Sequence, residues 1–195
     1  MRTLAGRSVG VLQFVGLVVL EKAALRVGGR MDVWDLPFNR WLGIQRADAG
    51  AGDRPSVVAL DEVSIQLVPE ARHANHLGTV HATVIYGVAE AACGQCLLQQ
   101  FPFLRENHLV VLRGIDGKYR QPAVLGTPLV GSSEIEEEQA TKLRSQLERR
   151  RRASVSVATR VCQGSVEVFS GSSNWFIARD ESSGSAIPPQ RSNGS

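Results

Sequence analysis

Cysteine is scarce. The chain of 195 residues has three, an odd number, which argues against a disulfide-built scaffold and fits a reducing compartment. Neither sign of charge dominates. A net charge of +3 and a pI near 9.0 do not by themselves argue for a nucleic-acid ligand. Arg149–Arg152 is a basic run, but no aromatic residue interleaves it, so it reads as the solvated end of an element. Long apolar runs are lacking too. Val9 to Leu20, interrupted by Gln13 and ended by Glu21, is too short to cross a bilayer, and no membrane span is expected.

What is present is the composition of a soluble globular protein, 43% hydrophobic and 21% charged, long enough to bury a core. The chain divides into residues 1–30, a main domain over 31–179, and a Ser/Gly/Pro-rich tail over 180–195 that reads as disordered. Residues 1–30 read as an N-terminal extension or an extra helix. Arg2 and Arg7 precede the apolar run and no A-x-A-like cleavage site follows cleanly. The compartment expected is the cytoplasm, with a mitochondrial targeting role for residues 1–30 left open, because Glu21 is their only acid among several arginines.

The main domain is organised around Asn75–Gln100, a polar loop feeding a long apolar helix. Gly78 punctuates the loop, Thr79 is the expected N-cap, and no proline intervenes before Pro102. Ala82, Gly87, Ala89, Ala91, Ala92 and Gly94 are small, so a sheet can approach this helix closely on several sides; its one acid is Glu90. Cys93-x-x-Cys96 lies inside the helix without a preceding strand, and His73 and His76 add little to it, so neither a metal nor a cofactor is expected.

Before this helix, Phe38–Ile44 reads as a short amphipathic helix opened by Pro37, residues 47–56 as a loop, and Val63, Ile65 and Leu67 as a strand ended by Pro69. After it, Leu109–Leu112 suits a strand covered on both faces, and Asp116-Gly117 is a turn or bulge signal. A further strand is expected within Gly126–Gly131. Ser133–Leu147 places acids first and bases last, with Glu138 and Lys142 at i,i+4, as a surface helix would. Val155, Val157 and Val161 alternate with polar residues, as do Val166 and Val168 beyond a turn at Gly164; Asn174–Ala178 closes the sheet. The order is α+β, an antiparallel sheet around one helix.

Asn75-x5-His81-Ala82-x7-Glu90, together with the downstream YRQPAVLG, resembles the active-site segment of hotdog-fold acyl-CoA thioesterases of the phenylacetate-pathway and 4-hydroxybenzoyl-CoA type. From Phe38 to Ala178 the chain resembles an uncharacterised hotdog family related to them. The resemblance implies a curved antiparallel sheet wrapped around the long helix, a homodimer or dimer of dimers, and hydrolysis of an acyl-CoA or acyl-carrier thioester. Glu90 would be general base or nucleophile, and His81 would orient the loop. Asn75 would donate a hydrogen bond or fix water, and the Ala82 N–H at the helix start would stabilise the oxyanion. Eight residues separate Ala82 from Glu90, about 12 Å along one helix, so a single carbonyl would meet Ala82 of one chain and Glu90 of another. Two departures stand out. Ala82 replaces the usual glycine, and Gly94 and Leu112 fall where relatives place Ser or Thr near the catalytic water. A non-catalytic acyl-CoA or lipid-binding protein is the alternative reading, and a hotdog dehydratase a distant third.

Overall fold

The computed structural model describes residues 32–47 and 64–180. Residues 1–31, most of the 47–56 loop, Val63 and the tail from 181 onward lie outside the described residues. In chain order the elements are helix α1 (Pro37–Leu42), strands β1 (Gln45–Arg46) and β2 (Ile65–Leu67), helices α2 (Ala82–Gln100) and α3 (Leu104–Asn107), strands β3 (His108–Tyr119) and β4 (Leu129–Glu134), helix α4 (Glu137–Arg150), and strands β5 (Arg152–Gln163) and β6 (Val166–Arg179). The six strands form one antiparallel sheet in the order β1-β2-β4-β5-β6-β3.

The α+β order expected from the sequence holds, and α2 is the helix the sheet encloses. It packs across β2, β4, β5 and β6. Its apolar residues are buried on most of its circumference, as a helix apolar all round must be. The inward faces of the strands supply the other half of the core. Along β5, Ala153, Val155, Val157, Thr159 and Val161 point in while Arg152, Ser154, Ser156, Ala158 and Arg160 point out.

The small residues of α2 permit approach from two sides. On the sheet side, a Cβ placed on Gly131 of β4 would sit 3.0 Å from Val88 Cγ1 and 3.1 Å from Ala92 Cβ. Valine at Gly131 is therefore expected to destabilise the fold by about 1–3 kcal/mol through overpacking, read as a lower midpoint in urea with an unchanged slope. On the other side, residues 32–44 run back along the helix. Leu42 lies against Gly87, and Val33 lies against Gly94, whose remaining neighbour is Trp175. Val33 N–H donates to Gln95 Oε1 at 3.3 Å, tying this segment down.

Two local expectations are corrected. Thr79 is not the N-cap of α2; His81 is. Ala74 and Val80 form a β-bridge, which keeps Val80 extended, so the helix cannot begin until the chain leaves that bridge. Asp116-Gly117 makes no turn. Both residues lie inside β3, opposite Ser172 and Gly171, and the irregularity in the ladder falls between Leu112 and Gly114. A side chain on Gly117 would collide with the Phe169 ring, so packing explains this glycine. Gly164 does turn the β5–β6 hairpin, with φ +56°. The acid-to-base segment is α4, although Ser133 and Glu134 belong to β4.

Candidate active site

A narrow hairpin delivers the start of α2. His81 N–H donates to His73 O at 2.8 Å, Asn75 N–H to Thr79 O at 2.8 Å, and Val80 N–H to Ala123 O at 2.8 Å. Asn75 holds the loop together. Its Oδ1 accepts from the N–H groups of Leu77 (2.9 Å) and Thr79 (3.2 Å), and its Nδ2 donates to Thr79 Oγ1 (2.8 Å) and Val80 O (3.4 Å). An asparagine amide has two donor hydrogens and two acceptor lone pairs, so Asn75 is fully engaged within its own loop. Beneath it, buried His73 accepts at Nδ1 from Glu70 N–H at 2.9 Å, and burial lowers its pKa.

His81 caps the helix in a way serine or aspartate usually does. Its Nδ1 accepts from Thr83 N–H at 3.1 Å. A nitrogen that accepts carries no proton, so that bond assigns the ring N–H to Nε2. Ala82, the first helical residue, is exposed, and among the described residues its N–H has no acceptor. Tyr119 Oη, at the end of β3, donates to Ala82 O at 3.1 Å and pins the first turn of the helix to the sheet edge.

One stripe of α2 escapes burial. Ala82 and Thr83 are exposed, and Tyr86 and Glu90 are half-buried, at the spacing that puts them on one face. Glu90 has no hydrogen-bond or ion-pair partner among the described residues, and burial pushes its carboxyl up to about 7. Burial, reinforced by the nearby Glu90 charge, pushes the Tyr86 phenol up to about 12. Tyr119 and Asp116 of β3 also act on Tyr86, so the open stripe lies on the β3 side of the helix. Behind Glu90, buried Cys93 meets a group of hydroxyls: Ser133 Oγ donates to Thr159 Oγ1 at 3.0 Å and lies 3.6 Å from Cys93 Sγ, and Trp175 Nε1 donates to Ser173 Oγ at 2.8 Å.

The structure thus gathers Asn75, His81 and Ala82 at the start of α2 and leaves Glu90 two turns further along the same open face. Sequence reasoning missed Tyr86 and gave no role to Tyr119, the first residue of the YRQPAVLG segment. Tyr86 is one turn before Glu90, a spacing visible in the sequence, whereas nothing local to Tyr119 announces its contact with Ala82. The two positions where relatives place Ser or Thr are filled with apolar packing: Leu112 is buried, and Gly94 faces Trp175 and Val33. Among the described residues no three His, Cys, Asp or Glu side chains are grouped to hold a metal, and no helix is long and apolar enough to cross a membrane.

Comparison with known proteins places this arrangement. Residues 49–177 match the family model DUF4442, described as a domain of unknown function, and the chain belongs to that family. No curated protein matches the sequence. Solved structures with the same fold include a protein of unknown function from Pseudomonas aeruginosa, described as a probable thioesterase. It is 17% identical, with 73% of this chain and 87% of that one covered, at a TM-score of 0.56. A second, of unknown function, comes from Chlorobaculum tepidum TLS (14% identity, 74% and 88% covered, TM-score 0.59). A third is a thioesterase candidate related to phenylacetic acid degradation from Ralstonia eutropha JMP134 (15% identity, 78% and 96% covered, TM-score 0.52). The fold is the hotdog fold, as the resemblance implied.

Proposed function

We propose that this protein is an acyl-CoA thioesterase whose active site is shared between two copies of the chain. The observation that carries the reading is Glu90: a half-buried carboxylate on an otherwise apolar helix, without a partner among the described residues and with its pKa raised to about 7. Keeping such a group costs stability, and a carboxylate poised near neutrality suits a general base.

The Ala82 N–H, free at the helix N-terminus, supplies a donor where an oxyanion would develop when water attacks a thioester carbonyl. His81 fixes that N–H by capping the helix, and Asn75 fixes His81 by bracing the hairpin. Both are positioning residues in this account. Glu90 would take a proton from the attacking water, and the tetrahedral intermediate would collapse to expel the thiolate.

The edge of the sheet supports the shared site. Of the two outer strands of the sheet, β1 has two residues while β3 has twelve, and among the described residues β3 pairs only with β6. A long uncovered edge is a template for pairing with a second copy. It lies on the same side as the open stripe of α2, so an isologous dimer through β3 would bring Ala82 of one chain towards Glu90 of the other.

The buried, apolar Leu112 and Gly94 positions favour the alternative, a protein that binds acyl-CoA or lipid without turning it over. A hydrolysis screen over CoA esters, read as release of free thiol, separates the two: saturable turnover supports the thioesterase, and binding without thiol release supports the silent binder. If Glu90 is the base, kcat/KM should rise with pH to a plateau, with its midpoint near 7, because the carboxylate must be ionised to accept the proton. A profile flat from pH 5 to 9 would remove Glu90 from that role.

A further inference from the structure

Tyr86 stands at the centre of the open stripe of α2, between the free N–H of Ala82 and the carboxyl of Glu90. Every other residue between Thr83 and Glu90 is buried, so Tyr86 alone fills the stripe between its two ends. It is four residues from each, about 6 Å along the helix either way. Four residues overshoot one turn by about 40°, so Ala82 and Glu90 are turned to either side of a stripe whose middle is Tyr86. Asp116 and Tyr119 of β3 act on its phenol, so that middle faces the uncovered strand edge.

Symmetry then fixes what Tyr86 meets. An isologous contact maps each residue onto the one it faces, and back again. Where Ala82 of one chain meets Glu90 of the other, and the reverse, the residue midway between them meets its own copy. That residue is Tyr86.

We propose, on the shared-site reading, that Tyr86 of the two chains meet on the two-fold axis, where their rings close the inner end of both sites and restrict the substrate to a short acyl group. The CoA portion is large and charged, and it leaves through the solvent-open end of the stripe, where His81, Ala82 and Thr83 are all exposed. The acyl group therefore runs from the carbonyl towards the axis, and an aromatic ring stops it after about 6 Å. Tyr86 is a specificity-determining residue in this arrangement. Its ring forms the wall, and its hydroxyl is dispensable.

The test uses the full chain. Titration with S-butyl-CoA and S-octyl-CoA, thioethers that cannot be hydrolysed, reads the wall without turnover. S-butyl-CoA should bind more tightly, and Tyr86→Phe should keep that order. Tyr86→Ala should improve S-octyl-CoA relative to S-butyl-CoA by about tenfold or more. Equal or tighter binding of S-octyl-CoA by the parent, or an unchanged ratio in a folded Tyr86→Ala, overturns the proposal. Crosslinking tests the axis without the alanine variant. Facing helices stand about 8–10 Å apart, too far for a disulfide but within reach of a short bis-maleimide. Tyr86→Cys treated with that reagent should be captured as a covalent dimer well beyond the parent, which keeps Cys93, Cys96 and Cys162. Capture no greater than the parent's places Tyr86 away from the axis and also overturns the proposal. Both results as expected, with no thiol released from any CoA ester, would remove the hydrolase reading and uphold the Tyr86 wall.

Discussion

Glu90→Gln is expected to lower turnover of a CoA thioester by about 10²–10⁴, the usual worth of a positioned general base. Glutamine keeps the size and removes the proton acceptor, so binding of a non-hydrolysable CoA thioether should barely change. The structure adds a stability signature. The folded-state pKa of Glu90 is raised from 4.5 to about 7, so the folded protein holds a proton the unfolded chain has lost across that interval. Stability associated with the protonated form is fully present below about 4.5 and lost progressively as pH rises through about 7. Glu90→Gln should therefore melt higher than the parent at pH 8 and about equally at pH 4.5. A structural carboxylate held by a partner would behave in the opposite way, its loss lowering the melting temperature with turnover nearly intact. Greater stability together with lost turnover is the pattern of a residue kept for chemistry.

Ala82→Pro is expected to lower turnover by about 10²–10³, the usual worth of one oxyanion donor. The substitution is chosen for what it spares. Proline is accommodated at the first helical position because that N–H has no partner in the helix, and the residue before it must be extended. His81 already has φ −64° and ψ 137°, so the backbone need not move. Circular dichroism and melting temperature should stay close to those of the parent while kcat falls. Full activity in Ala82→Pro would show that the oxyanion is stabilised elsewhere.

The fold was legible in the sequence because its strongest signals are periodic. The alternation in β5 gave the inward face correctly, and the small residues of α2 called for a sheet wrapped closely around it; residues 32–44 cover one side instead. The failures were local. Thr79 looked like a cap because serine and threonine usually are, but the Ala74–Val80 bridge decided where the helix starts, and a histidine took the cap. Asp116-Gly117 looked like a turn because the sequence does not reveal that Gly117 makes room for Phe169 fifty-odd residues later. In the candidate site, the spacing of Asn75, His81, Ala82 and Glu90 was visible. That Asn75 spends all its hydrogen bonds on its own loop, and that Tyr119 anchors Ala82 from across the fold, depends on tertiary contacts that no local pattern encodes.

Subunit complementation tests the shared site most directly. Glu90→Gln and Ala82→Pro homodimers should each be nearly inactive. Mixed and allowed to exchange, half the dimers would be hybrids, and each hybrid would pair an intact Ala82 from one chain with an intact Glu90 from the other at one of its two sites. The mixture should recover about a quarter of parental turnover. A mixture no more active than its components, with exchange verified by tagged subunits, would place Ala82 and Glu90 of the same chain in one site, or in none, and would contradict the account.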